Sequence, residues 1–150
     1  MTTILAIDPG ATTGYCLVDD STGFGVVSVG EIPWDSRLEL LTALIHGTSA
    51  SNGPPQLQAV VVEAFRLRPG RALEQVGSVF PSVRIIGILE ALLYTARPRN
   101  HPPLVFQEPS CMSRAQVLPE HLDILKGMPH ARDAYRHARY YTITTKERFT

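Results

Sequence analysis

The sequence of 150 residues has no apolar run of the roughly 18 residues that a membrane-spanning helix needs. Its longest apolar stretch, Val83 to Tyr94, is interrupted by Arg84 and Glu90, so no membrane partner is expected. Met1-Thr2-Thr3 lacks the basic start of a secretory leader. Cysteine is scarce: Cys16 and Cys111 stand far apart and match no metal or redox spacing. Two free thiols in a reducing cytoplasm are the expectation. Net charge is also missing, with 14 basic residues against 14 acidic. That balance argues against a protein that coats nucleic acid by bulk charge. No internal repeat and no long linker is visible. Residues 1–150 are therefore expected to form one domain, large enough for a real core. An apolar content of 44% excludes global disorder.

Lysine is nearly absent as well. Twelve of the fourteen basic residues are arginine, grouped as Arg66/Arg68/Arg71, Arg97/Arg99 and Arg132/Arg136/Arg139. Arginine makes planar, bidentate contacts to phosphate that lysine cannot. Composition leaves two readings open for these groups, solvated faces or phosphate contacts.

What is present begins with Asp8-Pro9-Gly10-Ala11-Thr12-Thr13-Gly14-Tyr15, preceded by the apolar run Ile4-Leu5-Ala6-Ile7. Such a run reads as a strand buried on both faces. An acid at its end leaves the core where open α/β sheets put their ligand sites. Pro9-Gly10 and Thr13-Gly14 both read as tight turns. The expected strands are Thr3 to Asp8, Thr13 to Asp19 and Phe24 to Ile32, close enough for an antiparallel meander. Ser36 is a candidate N-cap for a helix carrying Leu38, Leu41, Leu44 and Ile45. Ala59-Val60-Val61-Val62 reads as a fourth buried strand, ending at Glu63. A long helical region follows the basic loop, broken or kinked near Pro81, its clearer part carrying Val83, Ile86, Gly87, Glu90 and Leu93. Leu104-Val105-Phe106 is a short fifth strand, and Ala115 to Lys126 a weak helix at best, interrupted at Pro119. Pro129 suits the first turn of a last helix, expected to run to about Tyr141.

Two buried strands that each end in an acid, Asp8 and Glu63, point to a site more than to two separate turns. On the last helix His130 and Asp133 fall at i and i+3, on one face. Together the four would form an oxygen-rich cage with one imidazole. Such a cage suits Mg²⁺ or Mn²⁺. His137, one turn further on, reads as an ordinary helix residue. Asp19 and Asp20 read as turn residues, His46, His101 and His121 show no partner pattern, and Trp34 and Tyr140-Tyr141 read as packing.

In their order along the chain, Ile-Asp-Pro-Gly at the start, Val-Val-Val-Glu in the middle and His-x-x-Asp-Ala on the final helix resemble the RuvC-type Holliday junction resolvases. The compact chain looks more like the phage-encoded relatives. The resemblance implies the α/β ribonuclease H-like fold: a mixed five-stranded sheet, antiparallel meander plus parallel strands, flanked by helices. It implies a homodimer that cuts two strands of a four-way DNA junction, in a bacterial or phage-infected cell. Asp8 matches the aspartate that bridges two metal ions, and Glu63 and Asp133 match the acids that hold either side. His130 falls where many members have aspartate and some histidine. Arg114-Ala115-Gln116-Val117 looks like the family's basic-x-Gln-Val stretch. Phe65 is an offset counterpart of an aromatic wedge, and Arg66, Arg68, Arg71 and Arg114 would contact DNA backbone. A lysine expected after the fifth strand is missing, with Glu108 and Ser110 in that region. Gly87 could support a dimer contact or face the sheet.

Three rivals remain. Another ribonuclease H-like nuclease would act on RNA or flap DNA. A junction-binding module would lack catalysis. An actin-like phosphotransfer protein begins in the same way, but needs two such domains and a second glycine-rich phosphate loop.

Overall fold

The computed structural model describes residues 3–21, 23–33, 35, 38–46, 57–66, 80–96 and 101–147. Five strands, β1 (Thr3–Asp8), β2 (Thr12–Asp19), β3 (Gly25–Pro33), β4 (Leu57–Glu63) and β5 (Leu104–Gln107), form one sheet in the order β3-β2-β1-β4-β5. β1 pairs antiparallel with β2, and β2 with β3. β1–β4 and β4–β5 are parallel. The chain thus has the mixed sheet, meander plus parallel strands, that the sequence leads one to expect.

Alternation along β1 and β4 sorts the core into two halves. Leu5, Ile7, Val60 and Val62 pack on one face with Leu41, Leu44 and Ile45 of α1 (Leu38–His46) and Ile85, Leu89 and Leu93 of α2 (Pro81–Ala96). Ile4, Ala6, Ala59 and Val61 pack on the other face under α3 (Pro129–Glu147). α3 meets the sheet with Ala131, Ala134, Tyr135 and Ala138, all fully buried. Three alanines among those four let the helix axis sit close to the strands, and the large Tyr135 fills the remaining depth. Its hydroxyl accepts from the Leu118 backbone N–H at 3.3 Å and lies 2.9 Å from His121 Nδ1, so His121 does have a partner.

Several local expectations are corrected. Thr13 and Gly14 lie inside β2, paired with Ile32 and Glu31, and make no turn. The turn ends earlier, closed by the Thr13 hydroxyl, which donates to the Gly10 carbonyl at 3.1 Å. A break falls at Pro81 as expected: Phe80 is not helical and Pro81 starts α2, as suits a residue with no N–H to donate, while the stretch expected to be helical before Phe80 lies outside the described residues. The buried face of α2 is Ile85, Leu89 and Leu93, while Gly87 is exposed and does not face the sheet. Residues 115–126 form no α-helix: there is a 3₁₀ turn at Pro109–Arg114, a second at Pro119–His121, and turns beyond. α3 continues past Tyr141 to Glu147. Asp19 is the last residue of β2, its carboxylate accepting from the Ser21 N–H at 2.9 Å, and Asp20 stands in the β2–β3 connection as expected, held by Lys146 at 2.8 Å. Ser36, Trp34, Arg68, Arg71, Arg97 and Arg99 lie outside the described residues. Among the described residues no helix is long and apolar enough to cross a membrane.

Candidate active site

The parallel pairing of β1 with β4 sets Ile7 beside Val62. Asp8 and Glu63 follow, one residue further on each strand, at the carboxyl edge of the sheet. Because Ile7 and Val62 belong to the α1/α2 half of the core, strand alternation turns the next residues toward the α3 side. Glu63 is in turn paired with Gln107 of β5, so Gln107 shares that side.

α3 meets these residues at its start. A Cβ at Gly14 would overlap the backbone of His130. The missing side chain is what lets the helix begin directly on β2. Glu31, paired with Gly14 on β3, accepts from the His130 N–H at 2.8 Å and from the Ala131 N–H at 3.3 Å. Its charge suits a helix N-terminus and satisfies two otherwise unpaired donors. Sequence reading missed both Gly14 and Glu31, because each acts on a partner more than a hundred positions away or nearly so.

Within this frame His130 Nδ1 lies 2.9 Å from Asp8 Oδ2. A carboxylate only accepts, so the imidazole donates Nδ1–H to it. Burial raises the Asp8 carboxyl above its ordinary value. The His130 hydrogen bond opposes that rise, and the charges of Glu63 and Asp133 add to it. Asp133, half-exposed, faces Arg136 at 3.6 Å. Arg136 also donates to the carbonyls of Met112 at 2.6 Å and Ala115 at 3.2 Å, which fastens the 3₁₀ segment to α3.

Glu63 has a different companion. His137 Nε2 lies 2.9 Å from Glu63 Oε2, and His137 Nδ1 lies 2.8 Å from Gln107 Oε1. The ring is fully buried, so His137 is not an ordinary helix residue. His130, Asp133 and His137 fall at i, i+3 and i+7, one stripe of the helix, and that spacing was a usable signal. The four expected ligands are therefore divided as Asp8–His130, Glu63–His137 and Asp133–Arg136. Among the described residues no three histidine, cysteine or acidic side chains close into a metal-binding cluster.

The donor chemistry nonetheless fits a hard cation. Three carboxylates bear on one another here, and the charges of Glu63 and Asp133 both disfavour ionisation of the buried Asp8. A divalent cation among them relieves that repulsion.

Beside Glu63 is a pocket of about 310 Å³, lined by Pro9, Ala64, Phe65, Arg66, Ser82 and Glu108 among others. The Ser82 hydroxyl donates to the Pro9 carbonyl at 2.6 Å and ties the start of α2 to the loop after Asp8. Phe65 is partly exposed and tilts against Phe80 at 5.3 Å between ring centroids. Arg66 pairs with Glu108 at 2.6 Å, both side chains open to solvent. Arg114 lies away from this pocket, its guanidinium over the Tyr140 ring at 5.5 Å.

No family model matches the sequence, and no curated protein matches it. Solved structures do. T. thermophilus RuvC, solved in complex with a Holliday junction substrate, superposes with a TM-score of 0.61 at 19% identity, over 98% of this chain and 96% of that one. Ydc2, the yeast mitochondrial Holliday junction resolvase, superposes with a TM-score of 0.53 at 16% identity, over 97% of this chain and 82% of that one. The chain has the ribonuclease H-like fold that these resolvases share.

Proposed function

We propose that this chain is a metal-dependent endonuclease that resolves four-way DNA junctions by paired phosphodiester hydrolysis. The observation that carries the reading is the placement of Asp8 and Glu63 at the carboxyl ends of two parallel strands, with Asp8 bonded to His130 of α3 and within reach of the charges of Glu63 and Asp133. The likeness in fold to two Holliday junction resolvases supports the choice of substrate.

Asp8, Glu63, Asp133 and His130 are the residues that would hold Mg²⁺ or Mn²⁺, two ions per site. Held there, the ions would supply charge to the phosphate, to the attacking water and to the leaving 3′ oxygen, and the expected products are 5′-phosphate and 3′-hydroxyl ends. The residues themselves prepare that site. His130 gives Nδ1–H to Asp8 and so fixes one carboxylate oxygen. In the neutral ring this leaves a lone pair on Nε2, and 43% of the side chain is open to solvent. A ligating histidine whose other nitrogen donates to a carboxylate is the common arrangement at metal centres. Arg66, Arg68, Arg71 and Arg114 contact backbone phosphates, which position DNA without reading sequence. Phe65, which lines the Glu63 pocket, would meet the junction there. Residues 1–150 act as one nuclease domain, two copies making the paired cuts, in the cytoplasm of a bacterial or phage-infected cell.

The test is cleavage of a synthetic four-way junction beside a duplex, a flap and an RNA–DNA hybrid, each with Mg²⁺, Mn²⁺ or a chelator. Metal-dependent, symmetric cutting of the junction alone is expected. Preferred cutting of the hybrid or the flap would move the protein to another ribonuclease H-like activity. Tight junction binding without cutting in any metal would make it a binding module.

A further inference from the structure

Glu63 reaches the site on the last residue of a strand, and its side chain has three torsions to fix. A carboxylate so placed needs something to hold it. The neighbour that does so is His137, which the sequence reading set aside. We propose that His137, itself fixed by Gln107, is the positioning residue for Glu63, which rests on the reading of Glu63 as a metal-holding acid.

Both ring nitrogens of His137 are engaged. Nε2 meets Glu63 Oε2 at 2.9 Å and Nδ1 meets Gln107 Oε1 at 2.8 Å. An ionised carboxylate has no proton to give, so Nε2 carries the hydrogen between His137 and Glu63. That conclusion holds whichever way the Gln107 amide is turned. With its oxygen toward the ring, Gln107 accepts from Nδ1. With the amide reversed, Gln107 donates to Nδ1. The ring is fully buried and Gln107 nearly so, which keeps water from the inner bond, and the ring's side of the Glu63 bond is equally shielded. Cys111 lies 3.4 Å from both Gln107 Oε1 and His137 Nδ1 and closes the inner end. The register adds a further constraint. Glu63 and Gln107 are directly paired across β4 and β5, and the Ala64 N–H donates to the Gln107 carbonyl at 2.8 Å. The strand pair thus holds both ends of the bridge that His137 spans.

This separates the two histidines by role. His130 is partly exposed and bonded at Nδ1 to Asp8. His137 has no edge left for a ligand, so it acts through Glu63. It is an outer partner of the kind that aligns metal-binding carboxylates elsewhere, where removal costs about 10–100-fold in metal affinity or activity.

The experiment compares wild type, His137→Leu, His137→Gln and Glu63→Gln. Each is measured for Mn²⁺ binding by calorimetry without DNA, for junction binding, for junction cleavage and for thermal midpoint. Glutamine carries an N–H donor near the place of Nε2, whereas leucine fills the space without one. His137→Leu is expected to weaken Mn²⁺ binding and slow cleavage by at least tenfold with junction binding kept. His137→Gln is expected to recover most of both. If leucine and glutamine lower metal binding equally, in step with the thermal midpoint, His137 is only a packing residue and the proposal falls. Should His137→Leu fail to fold, His137→Gln and Gln107→Leu decide it. Wild-type metal affinity in Gln107→Leu, or a tenfold loss in a well-folded His137→Gln, counts against positioning through an N–H donor. Glu63→Gln distinguishes the two levels. Normal metal binding and cleavage in that variant overturns the role of Glu63 itself. Losses there without losses in His137→Leu overturn only the positioning role.

Discussion

Gly14 of β2 lies against the backbone of His130, so close that a Cβ at position 14 would overlap the His130 carbonyl group. Gly14 is also the residue paired with Asp8 across β1 and β2. One missing side chain therefore sets the distance between α3 and the strand that carries Asp8. Gly14→Ala must push the start of α3 outward, because the conflict is with backbone and not with a movable side-chain tip. Overpacking of this kind costs about 1–3 kcal/mol, at times more. The expected result is a lower denaturant midpoint together with loss of cleavage beyond what the remaining folded fraction explains. A variant with wild-type stability and turnover would show that α3 does not depend on this approach.

Asp8 bears a cost of its location. Burial first, then the charges of Glu63 and Asp133, raise its carboxyl above the ordinary 3.8, against the opposing bond from His130. Between 3.8 and the raised value the native state holds more protons than the unfolded chain. Stability therefore falls as pH rises through that window, and the penalty stays in full above it. Asp8→Asn removes the charge while keeping the shape. In metal-free buffer it should melt higher than wild type at neutral pH, with the difference closing as pH falls below about 4, near the unperturbed carboxylate value. It should cut no junction and gain no thermal stability from Mn²⁺, whereas wild type should gain some. Melting curves across pH, with and without metal, read both effects. A lower melting point for Asp8→Asn at pH 7 would contradict the sign.

Arg66 and Glu108 form a solvent-exposed pair beside the Glu63 pocket. Exposed pairs of this kind hold weakly and exchange readily for a phosphate. Arg66→Ala should lower the slope of log affinity against log salt by about 0.9 on duplex arms. Glu108→Gln should do the reverse to affinity, by freeing the arginine and removing an acid that repels DNA. Filter-binding titrations at several salt concentrations measure both. Equal slopes in wild type and Arg66→Ala would remove Arg66 from the DNA surface.

The strands were legible because their residues carry the evidence locally. Ile4 to Ile7 and Ala59 to Val62 are unbroken apolar runs, each closed by an acid, and their shortness and branched residues favour a doubly covered strand. Pro129 marked the start of α3, and the i, i+3 spacing of His130 and Asp133 put them on one face. What stayed hidden depends on partners far along the chain. Gly14 reads as a turn residue until α3 is seen lying on it. Glu31 shows nothing that marks a helix cap a hundred residues away. His137 was visible on the right stripe, yet only the β4–β5 register reveals that Glu63 and Gln107 await it there. The segment from 115 to 126 misled for another reason. Its helix-forming residues are interrupted at Pro119, and the carbonyl of Ala115 is satisfied by Arg136 from outside.

His130 offers the sharpest test of the cation. Its Nδ1 is committed to Asp8 at 2.9 Å, so only Nε2 is left to ligate. A neutral nitrogen in a set of three carboxylates suits Mn²⁺ better than Mg²⁺, which prefers oxygen throughout. His130→Asp adds a hard oxygen ligand and one negative charge. It should raise cleavage in Mg²⁺ relative to Mn²⁺, several-fold in the ratio of initial rates. It also sets a third carboxylate, after Glu63 and Asp133, against buried Asp8, so the metal-free protein should melt lower than wild type and recover more on adding Mg²⁺. His130→Ala should lose activity in both metals and keep junction binding. Initial rates and melting points in each metal, at a fixed pH near neutral, supply the comparison. If His130→Ala cuts at the wild-type rate in Mg²⁺ and in Mn²⁺, the histidine only steadies the start of α3, and the metal site consists of the three carboxylates alone.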